Sequence, residues 1–592
     1  MWNKEQKEAI NSVDGAVQVI AAAGSGKSSC LKARVQHMVN NCNINEKDIL
    51  VVSFTNATAA ELKKDLEDML LLDVTVGTFH SICKMLLEGV GYKDLLNQPR
   101  TYMVKREIEK VTGIKNLNIE DVLSFINYQK AFLVKPNDTF KRKTCIYEEA
   151  DMRACYRAYE DYKKNTGTYD FDDWMLNTIT DYKSGKITKT WKYLLVDEHQ
   201  DSSLPQYELM KLWCPSGNIF VVGDISQSIY GWRGASPLLF ANFYKEFANT
   251  KIINMNTNYR STTNIVEYAN RFIKPYSEKH GNYKDAVAAN GNNGHIETHM
   301  FDTEYEESEA VVKRIKELVA DGANLNDITV LYRNNANADI IESLLKQENI
   351  EYTLMSNQSF FDKKEIKGII AILRLVAHSD DDEAFEICMN EFRCYPLTYF
   401  KKELMEQLLT EAGKRDCCLF EAFMDYRFEL EWQSRNRNYF VDAISRLKIQ
   451  HEKNLPVNKL IDNIFKVFKI QNMIYENYES SLWDDKIESI TNLQAITKGH
   501  TLETFLDMVM KPRPKKQKKT SGVVLRTVHS MKGLQSKYVF LIALQDEKFP
   551  SSRSPIDEEA HIFYVGVTRS TEWQWVSSIG ESAFYKEYIT LN

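Results

Sequence analysis

Residues 1–85 alternate short apolar runs with amphipathic stretches. The apolar runs at 17–22 and 49–54 each precede a stretch with helical periodicity, and a glycine-rich turn separates the first run from a helix predicted from Lys27. Short apolar runs that alternate with helices are typical of parallel strands connected by helices. The pattern predicts an α/β domain at the start of the chain.

Two helix-rich stretches interrupt the strand pattern. Residues 88–168 are polar with few β-branched runs, and apolar runs return at 193–196 and 219–222. A second set of strands is predicted from about Ile252, and a second helix-rich stretch interrupts it in the same way. The later strands of this second set are predicted at 329–332, 522–527 and 538–543.

The pattern as a whole predicts an α/β fold with two parallel-sheet domains, each with a largely helical insertion. The length of 592 residues agrees with several lobes of roughly 150 residues each. The predicted boundaries are 1–87 with 169–251 for the first sheet domain, 88–168 for its insertion, 252–377 with 521–592 for the second sheet domain, and 378–520 for its insertion.

Composition narrows the class of protein only slightly. Hydrophobic residues make up 43% and charged residues 27% of the chain, and no apolar run approaches the roughly 20 residues that a membrane-spanning helix needs. The first residues carry no secretory signal pattern, so we expect a cytoplasmic protein without a membrane partner. The ten cysteines lack C-x-x-C spacing, which predicts reduced structural thiols. A net charge of −7 does not exclude a nucleic-acid partner, because phosphate contacts are local.

The stretch Ala-Ala-Ala-Gly-Ser-Gly-Lys-Ser at 21–28 follows a predicted strand and begins a predicted helix. In that context backbone N–H groups face phosphates, Lys27 reaches the β- and γ-phosphate oxygens, and the Ser28 hydroxyl binds Mg²⁺. Ala21 stands where this motif usually has glycine, so the alternative is a chance glycine-rich turn. The predicted nucleotide-binding residues are Ala23, Gly24, Ser25, Gly26, Lys27 and Ser28.

A second motif supplies the carboxylates that phosphoryl transfer requires. The apolar run 193–196 ends in Asp197 and Glu198. Asp197 is predicted to hold Mg²⁺, and Glu198 to orient and deprotonate the attacking water. The two motifs together predict hydrolysis of ATP with Mg²⁺, although they do not by themselves distinguish ATP from GTP.

Two further stretches carry a family resemblance. Val-Asp-Glu-His-Gln-Asp at 196–201 and Val-Gly-Asp-Ile-Ser-Gln-Ser-Ile-Tyr-Gly-Trp-Arg-Gly-Ala at 222–235 resemble two consecutive motifs of the UvrD/Rep/PcrA-like DNA helicases of superfamily 1A. The resemblance implies two RecA-like domains and an ATP-driven motor on single-stranded DNA. The other family motifs follow in order at 3–9, 53–56, 76–80, 258–261, 527–534 and 564–569.

The resemblance also implies roles at the nucleotide. Gln6 would contact the adenine edge, although a capping or surface glutamine is the alternative, and Tyr259 would stack on the adenine face. Gln227 would sense the γ-phosphate, while Arg260 and Arg569 would enter the cleft as arginine fingers. Gln535 stands where the family has a glutamate that reaches the sugar, so we expect a weakened ribose contact.

The same motifs imply a track for single-stranded DNA. Aromatic stacking accepts any base, which suits a motor that must not depend on sequence. Core packing is the alternative for Trp232 and the expected role of Phe79, and His199, which replaces a family phenylalanine, is expected to be a packed ring. The predicted DNA-binding residues are Phe54, Thr55, Asn56, Thr78, His80, Tyr230, Trp232, Arg233, Arg333, His529 and Lys532.

Two functions from different classes follow from the resemblance. The first is an ATP-dependent 3′-to-5′ single-stranded DNA translocase and helicase that acts at single-strand/duplex junctions, for example in DNA repair. The second is a motor or DNA-loading subunit of a nuclease-containing repair or anti-phage complex with little unwinding activity alone. The second insertion favours the latter, because its resemblance fades after Asn390. The basic run Lys511–Lys519 is predicted to be a solvated linker, with a DNA-contacting loop as the alternative.

Overall fold

A computed structural model of the protein describes residues 2–141, 143, 145–247, 249–280, 283–355, 359–478, 480–510, 522–552 and 554–589. The basic run Lys511–Lys519 lies outside the described residues, so its predicted role is not addressed by the structure. All ten cysteines are free, as predicted. No helix in the described ranges is both long and apolar enough to cross a membrane.

The strands of the protein form two large sheets and one small one. Apolar runs at most of the predicted positions become strands, although four strands of the two large sheets were not predicted. In chain order the strands are β1 Val17–Ala21, β2 Ile49–Ser53, β3 Thr75–Thr78, β4 Tyr193–Val196, β5 Ile219–Gly223, β6 Lys251–Met255, β7 Thr257–Thr262, β8 Val287–Asn290, β9 His295–Phe301, β10 Ile328–Tyr332, β11 Tyr352–Leu354, β12 Val523–Thr527, β13 Ser536–Leu544 and β14 Ser570–Ile579.

Both large sheets are six-stranded and parallel, which confirms the predicted fold class. The first has the order β3-β2-β4-β5-β1-β6 and the second the order β11-β12-β10-β13-β14-β9. Strands β7 and β8 form a separate parallel pair. Because parallel strands need crossover connections, helices cover both sheets.

The helices are numbered along the chain in the same way. They are α1 Lys4–Asn11, α2 Lys27–Asn40, α3 Asn56–Asp68, α4 Phe79–Gly89, α5 Thr101–Thr112, α6 Ile119–Lys130, α7 Glu149–Thr166, α8 Phe171–Lys183, α9 Leu204–Trp213, α10 Pro237–Ala241, α11 Phe243–Glu246, α12 Thr263–Ser277, α13 Glu304–Ala320, α14 Asp339–Gln347, α15 Lys364–Ala377, α16 Asp382–Glu386, α17 Leu404–Arg415, α18 Leu419–Asp425, α19 Glu431–Glu452, α20 Val457–Val467, α21 Ile470–Asn477, α22 Trp483–Ile496, α23 Leu502–Met510, α24 Val528–Met531, α25 Ile556–Val567 and α26 Ala583–Ile589.

One predicted strand belongs to the other sheet. The second set of strands was expected to begin near Ile252, but β6 pairs with β1 in the first sheet. Ile253 and Met255 are buried in the same core cluster as Val17 and Val19, and this burial fixes the strand there. The apolar pattern predicted the strand correctly, but it carries no information on which of two sheets the strand joins.

Helical segments interrupt both sheets along the chain. Between β3 and β4 the described residues form helices α4 to α8, and between β11 and β12 they form helices α15 to α23. The second group has its own large core, which includes Phe385, Phe423 and Phe440. The predicted domain boundaries remain predictions, since the arrangement of elements alone does not define where each domain ends.

Candidate functional site

The glycine-rich turn after β1 is in close contact with strand β7. Gly24 and Gly26 have φ angles of +70° and +81°, a region that glycine adopts without strain. A Cβ at Gly24 would lie 2.7 Å from Arg260 Cβ and 2.8 Å from Asn258 Oδ1. The backbone N–H of Tyr259 also donates to the Gly24 carbonyl oxygen at 2.9 Å. Residues 258–260 therefore close directly over the turn.

Gln6 contacts the backbone of the glycine-rich turn. It is 5% exposed, and its Nε2 donates to the Ser25 carbonyl oxygen at 3.1 Å. Its Oε1 accepts from the backbone N–H of Asn3 at 3.0 Å, so Gln6 also completes the capping box of α1. Tyr259 is 46% exposed and leaves a ring face open beside the turn. Gln6 therefore caps α1, which is the alternative role that the sequence left open, and it also contacts the glycine-rich turn.

The two carboxylates at the end of β4 lie in opposite electrostatic environments. Burial is the largest influence on both, and together with the neighbouring Glu198 it raises the pKa of Asp197. For Glu198 the burial effect is outweighed by the charges of Lys27 and Lys532, which lower its pKa. The Ser28 hydroxyl hydrogen-bonds to Asp197. Glu198 therefore remains a carboxylate, as a general base requires.

The two predicted fingers come from distant parts of the chain, Arg260 from β7 and Arg569 from just after α25. Arg569 is 1% exposed, and its Nη2 donates to Gln227 Oε1 at 3.0 Å. Burial and the nearby Arg260 lower the pKa of Arg569 to about 9. Arg260 Nε donates to Gln535 Oε1 at 2.9 Å. Gln535 thus touches a finger, a contact that the sequence did not predict.

These residues fit a nucleotide and Mg²⁺. The turn 23–26 follows a parallel strand and begins a helix, so its N–H groups are available to phosphates. The hydroxyl of Ser25 is buried without a hydrogen-bond partner in the described structure. Ser28 and Asp197 are the hard oxygen donors that would hold Mg²⁺, which when bound neutralises charge on the phosphate oxygens.

A group of aromatic rings lies beside the cleft. The rings of Phe54 and Tyr230 stack at a centroid distance of 4.9 Å, and His529 from the other half of the chain lies 6.0 Å from Tyr230. The Arg233 guanidinium lies 4.5 Å from the centroid of Trp232, which is 54% exposed. The structure therefore joins five of the predicted DNA-binding residues, from both halves of the chain, into one track.

The predicted DNA-binding residues near the starts of α3 and α4 differ in their exposure and in their contacts. Thr55 and Asn56 are exposed at the start of α3, whereas the Thr78 hydroxyl accepts from the backbone N–H of Ser81 and caps α4. His80 lies 6.3 Å from Phe171, and burial lowers the pKa of its imidazole. The structure thus places His80 against Phe171 and gives Thr78 a structural partner.

Two predicted DNA-binding cations have protein partners instead. The Lys532 ammonium lies against the buried carboxylate of Asp201 and donates to the Gln227 carbonyl oxygen at 2.5 Å. Arg333 forms an ion pair with Glu559 at 2.8 Å. Both side chains are thus bonded to other residues of the protein, and their predicted contacts with DNA stay predictions.

Several residues near the site were not predicted. Phe171 is 56% exposed and packs against His80, but a single aromatic residue among acidic neighbours gives no clear signal. Gln200 donates to the Glu198 carboxylate and accepts from the backbone N–H of Asp224 at 3.0 Å. Gln200 lies two residues after Glu198 in the motif at 196–201, and this closeness in sequence could have predicted its contact with Glu198.

The histidine that replaces a family phenylalanine is a packed ring, as expected. His199 is fully buried and stacks on Tyr207 at 5.9 Å. Burial lowers its pKa to about 3, so it stays neutral. Phe79 is likewise buried and stacks on Trp213 at 5.4 Å.

The cleft and its track define a class of protein, a P-loop nucleotide hydrolase with its site between two parallel-sheet units. Comparison with protein families makes the class specific. The UvrD/REP helicase N-terminal domain matches residues 2–248, and the UvrD-like helicase C-terminal domain matches residues 253–580. The chain therefore belongs to the UvrD/Rep family of DNA helicases, which are ATP-hydrolysing enzymes.

Individual relatives agree with this family. The protein named ATP-dependent DNA helicase PcrA from Staphylococcus epidermidis is 28% identical, with 97% of this chain and 83% of the relative aligned. The protein of the same name from Staphylococcus aureus shows the same identity and the same coverage. The similarity thus runs through both sheets and both helical segments.

Proposed function

We propose that this chain is a 3′-to-5′ single-stranded DNA translocase that uses ATP and Mg²⁺ to unwind DNA at single-strand/duplex junctions. The supporting observation is the continuity of residues 224–233. Gln227 contacts the finger Arg569, and three residues later Tyr230 begins the aromatic track. Residues 224–233 would thus transmit a conformational change at the γ-phosphate to the bound DNA.

Roles for the cleft residues follow from their contacts. Lys27 and the turn 23–26 bind the phosphates, and Glu198 takes a proton from the attacking water while Gln200 orients its carboxylate. Arg260 and Arg569 stabilise the charge that develops on the γ-phosphate. Because Arg569 lies between α25 and β14 of the second sheet and contacts Gln227, which follows β5 of the first sheet, ATP binding would draw the two sheets together.

Lys532 makes a second contact between the two sides of the cleft. Its ammonium is bonded to Asp201 and Gln227, which both belong to the first half of the chain, and it lies 5.2 Å from the centroid of Tyr230. Its charge also lowers the pKa of Glu198. We therefore propose that Lys532 acts between nucleotide and strand and does not grip the strand itself.

Direction is the part of the proposal that rests most on family resemblance. A strand-displacement assay with the purified chain, ATP and Mg²⁺ tests it with two matched duplexes, one with a 3′ tail and one with a 5′ tail. We expect unwinding of the 3′-tailed duplex alone. Preference for the 5′-tailed duplex would reverse the proposed polarity, and Glu198→Gln serves as the control without hydrolysis.

A second candidate function is a motor subunit of a nuclease-containing repair or defence complex. The observation that favours it lies in the second helical segment, where Tyr399 and Trp432 are 56% and 38% exposed. In that case the chain alone would move along single strands but unwind poorly. Efficient unwinding by the chain alone would remove the reason for this candidate.

A further inference from the structure

Helix α25 lies along the segment that joins the nucleotide to the DNA track. Just after the end of this helix, Arg569 Nη2 donates to Gln227 Oε1 at 3.0 Å. In the middle of the helix, His561 Nδ1 lies 3.2 Å from the Ser228 carbonyl oxygen. The helix therefore follows this segment in the opposite direction, away from the γ-phosphate contact and towards the track.

The first turn of the same helix reaches the loop that carries the exposed tryptophan. Glu558 Oε1 accepts a hydrogen bond from the backbone N–H of Trp232 at 3.3 Å. A Cβ added to Gly231 would lie 2.8 Å from Glu558 Oε2. The carboxylate thus packs directly against the backbone of residues 231–232, and a side chain at position 231 would displace it.

The opposite side of the loop is also enclosed. A Cβ added to Gly234 would lie 2.3 Å from Ala131 Cβ, just after helix α6 of the first helical segment. The loop 231–234 is therefore held between α6 on one side and α25 on the other. The Trp232 ring nevertheless stays 54% exposed, so the backbone is fixed while the stacking face is open.

The next residue on α25, Glu559, has a different partner from Glu558. Glu559 is fully buried and forms a bidentate contact with Arg333, at 2.8 Å to Nη2 and 3.1 Å to Nε. In the described part of the chain, Glu558 instead makes its closest polar contact with a backbone N–H. Such a carboxylate fixes a loop without neutralising a charged partner.

We propose that Glu558 is a positioning residue for Trp232, and that helix α25 couples the nucleotide finger Arg569 to the DNA strand through it. The inference rests on the proposed function, because it assumes that Trp232 stacks on the strand and that Arg569 contacts the nucleotide. Movement of α25 on nucleotide binding would then shift both ends of residues 227–232 together.

The test measures ATP hydrolysis by the full chain against the concentration of oligodeoxythymidine. In Glu558→Ala we expect the half-saturating DNA concentration to rise about tenfold, the effect of losing one charge-assisted hydrogen bond, with a much smaller change in the maximal rate. Asp557→Asn is the matched control, because Asp557 is on the same turn but pairs with Lys279. We expect this control to match the wild type.

Two further variants separate positioning from a general loss of structure. Glu558→Gln keeps the side-chain shape and one acceptor oxygen, so a smaller rise of about threefold is expected. Gly231→Ala should raise the half-saturating concentration as well, because its Cβ displaces the carboxylate. In a Trp232→Ala background, Glu558→Ala should add little further effect, since both substitutions remove the same contact with DNA.

The outcomes distinguish this inference from the proposed function. If the wild type is not stimulated by oligodeoxythymidine, the proposed function itself fails. If it is stimulated but Glu558→Ala matches Asp557→Asn, only the role of Glu558 is overturned. An undiminished effect of Glu558→Ala in the Trp232→Ala background would also overturn it, because Glu558 would then act by another route.

Discussion

The nucleotide cleft and the aromatic track lie side by side, but the protein holds them in different ways. In the cleft the Arg569 guanidinium is buried and donates to four oxygen atoms of the protein. On the track Trp232 is 54% exposed, and the Arg233 guanidinium lies 4.5 Å from the centroid of its ring. Chemistry requires charges fixed in a dry site, whereas grip on any base requires an open ring face.

This difference predicts two kinds of mutational effect. Removing a buried charge from the cleft leaves its partners uncompensated and takes away stabilisation of the transition state. Removing an exposed ring takes away one stacking contact and leaves the surrounding structure intact. Cleft variants should therefore lose hydrolysis by large factors, and track variants should lose DNA affinity and movement by smaller ones.

The largest effect is expected for Arg569→Ala. An arginine finger contributes about 10³ to 10⁵ in rate, so hydrolysis at saturating DNA should fall by at least about 10³. Steady-state ATP hydrolysis measures the loss, and Arg314→Ala, which removes a surface ion pair with Glu297, is the control. A decrease of less than tenfold would contradict the assignment of Arg569 as a finger.

A smaller effect is expected for Trp232→Ala. Stacking is worth about 1–3 kcal/mol per base, so DNA affinity should fall by roughly tenfold while hydrolysis at saturating DNA changes much less. Stopped-flow translocation should show ATP consumed with less movement. Trp432→Ala, an exposed tryptophan on the second helical segment, is the matched control. Equal losses of hydrolysis and movement would argue against a separate gripping role.

The smallest effect concerns pH. Burial, with a smaller effect from Arg333, lowers the pKa of His529 to about 3, and burial also lowers the pKa of His80. The His529 imidazole is neutral above this value, and the His80 imidazole becomes positively charged only at a lower pH than an ordinary histidine would. DNA affinity should therefore stay constant between about pH 6 and 8. A clear rise in affinity towards pH 6 would show that a histidine on the track becomes charged.

The sequence predicted the cleft better than it predicted the track. The turn 23–26, Asp197 and Glu198 lie close together in short motifs, so local pattern was sufficient to find them. The contact of Lys532 with Asp201 joins residues far apart in the chain, and nothing in either motif distinguishes a buried partner from a DNA phosphate. The contact of Gln535 with Arg260 likewise joins distant residues, and the weakened ribose contact expected of Gln535 stays a prediction.

Local sequence pattern was likewise insufficient to predict parts of the fold. Apolar periodicity predicted the interior strands of both sheets except β14, because most of their positions are buried. It did not predict β3, β9 or β11, where the exposed or partly buried positions weaken the apolar signal. It also placed β6 with the wrong sheet, since pairing partners are chosen by tertiary packing.

The most direct test of the coupling between cleft and track is the rate of ATP hydrolysis as single-stranded DNA is added. For the wild type we expect a strong increase with oligodeoxythymidine, because residues 224–233 connect the strand to the γ-phosphate contact. Glu198→Gln should bind ATP and DNA yet remain near the background rate throughout. A wild-type rate that does not respond to DNA, or a Glu198→Gln rate equal to the wild-type rate, would contradict the account.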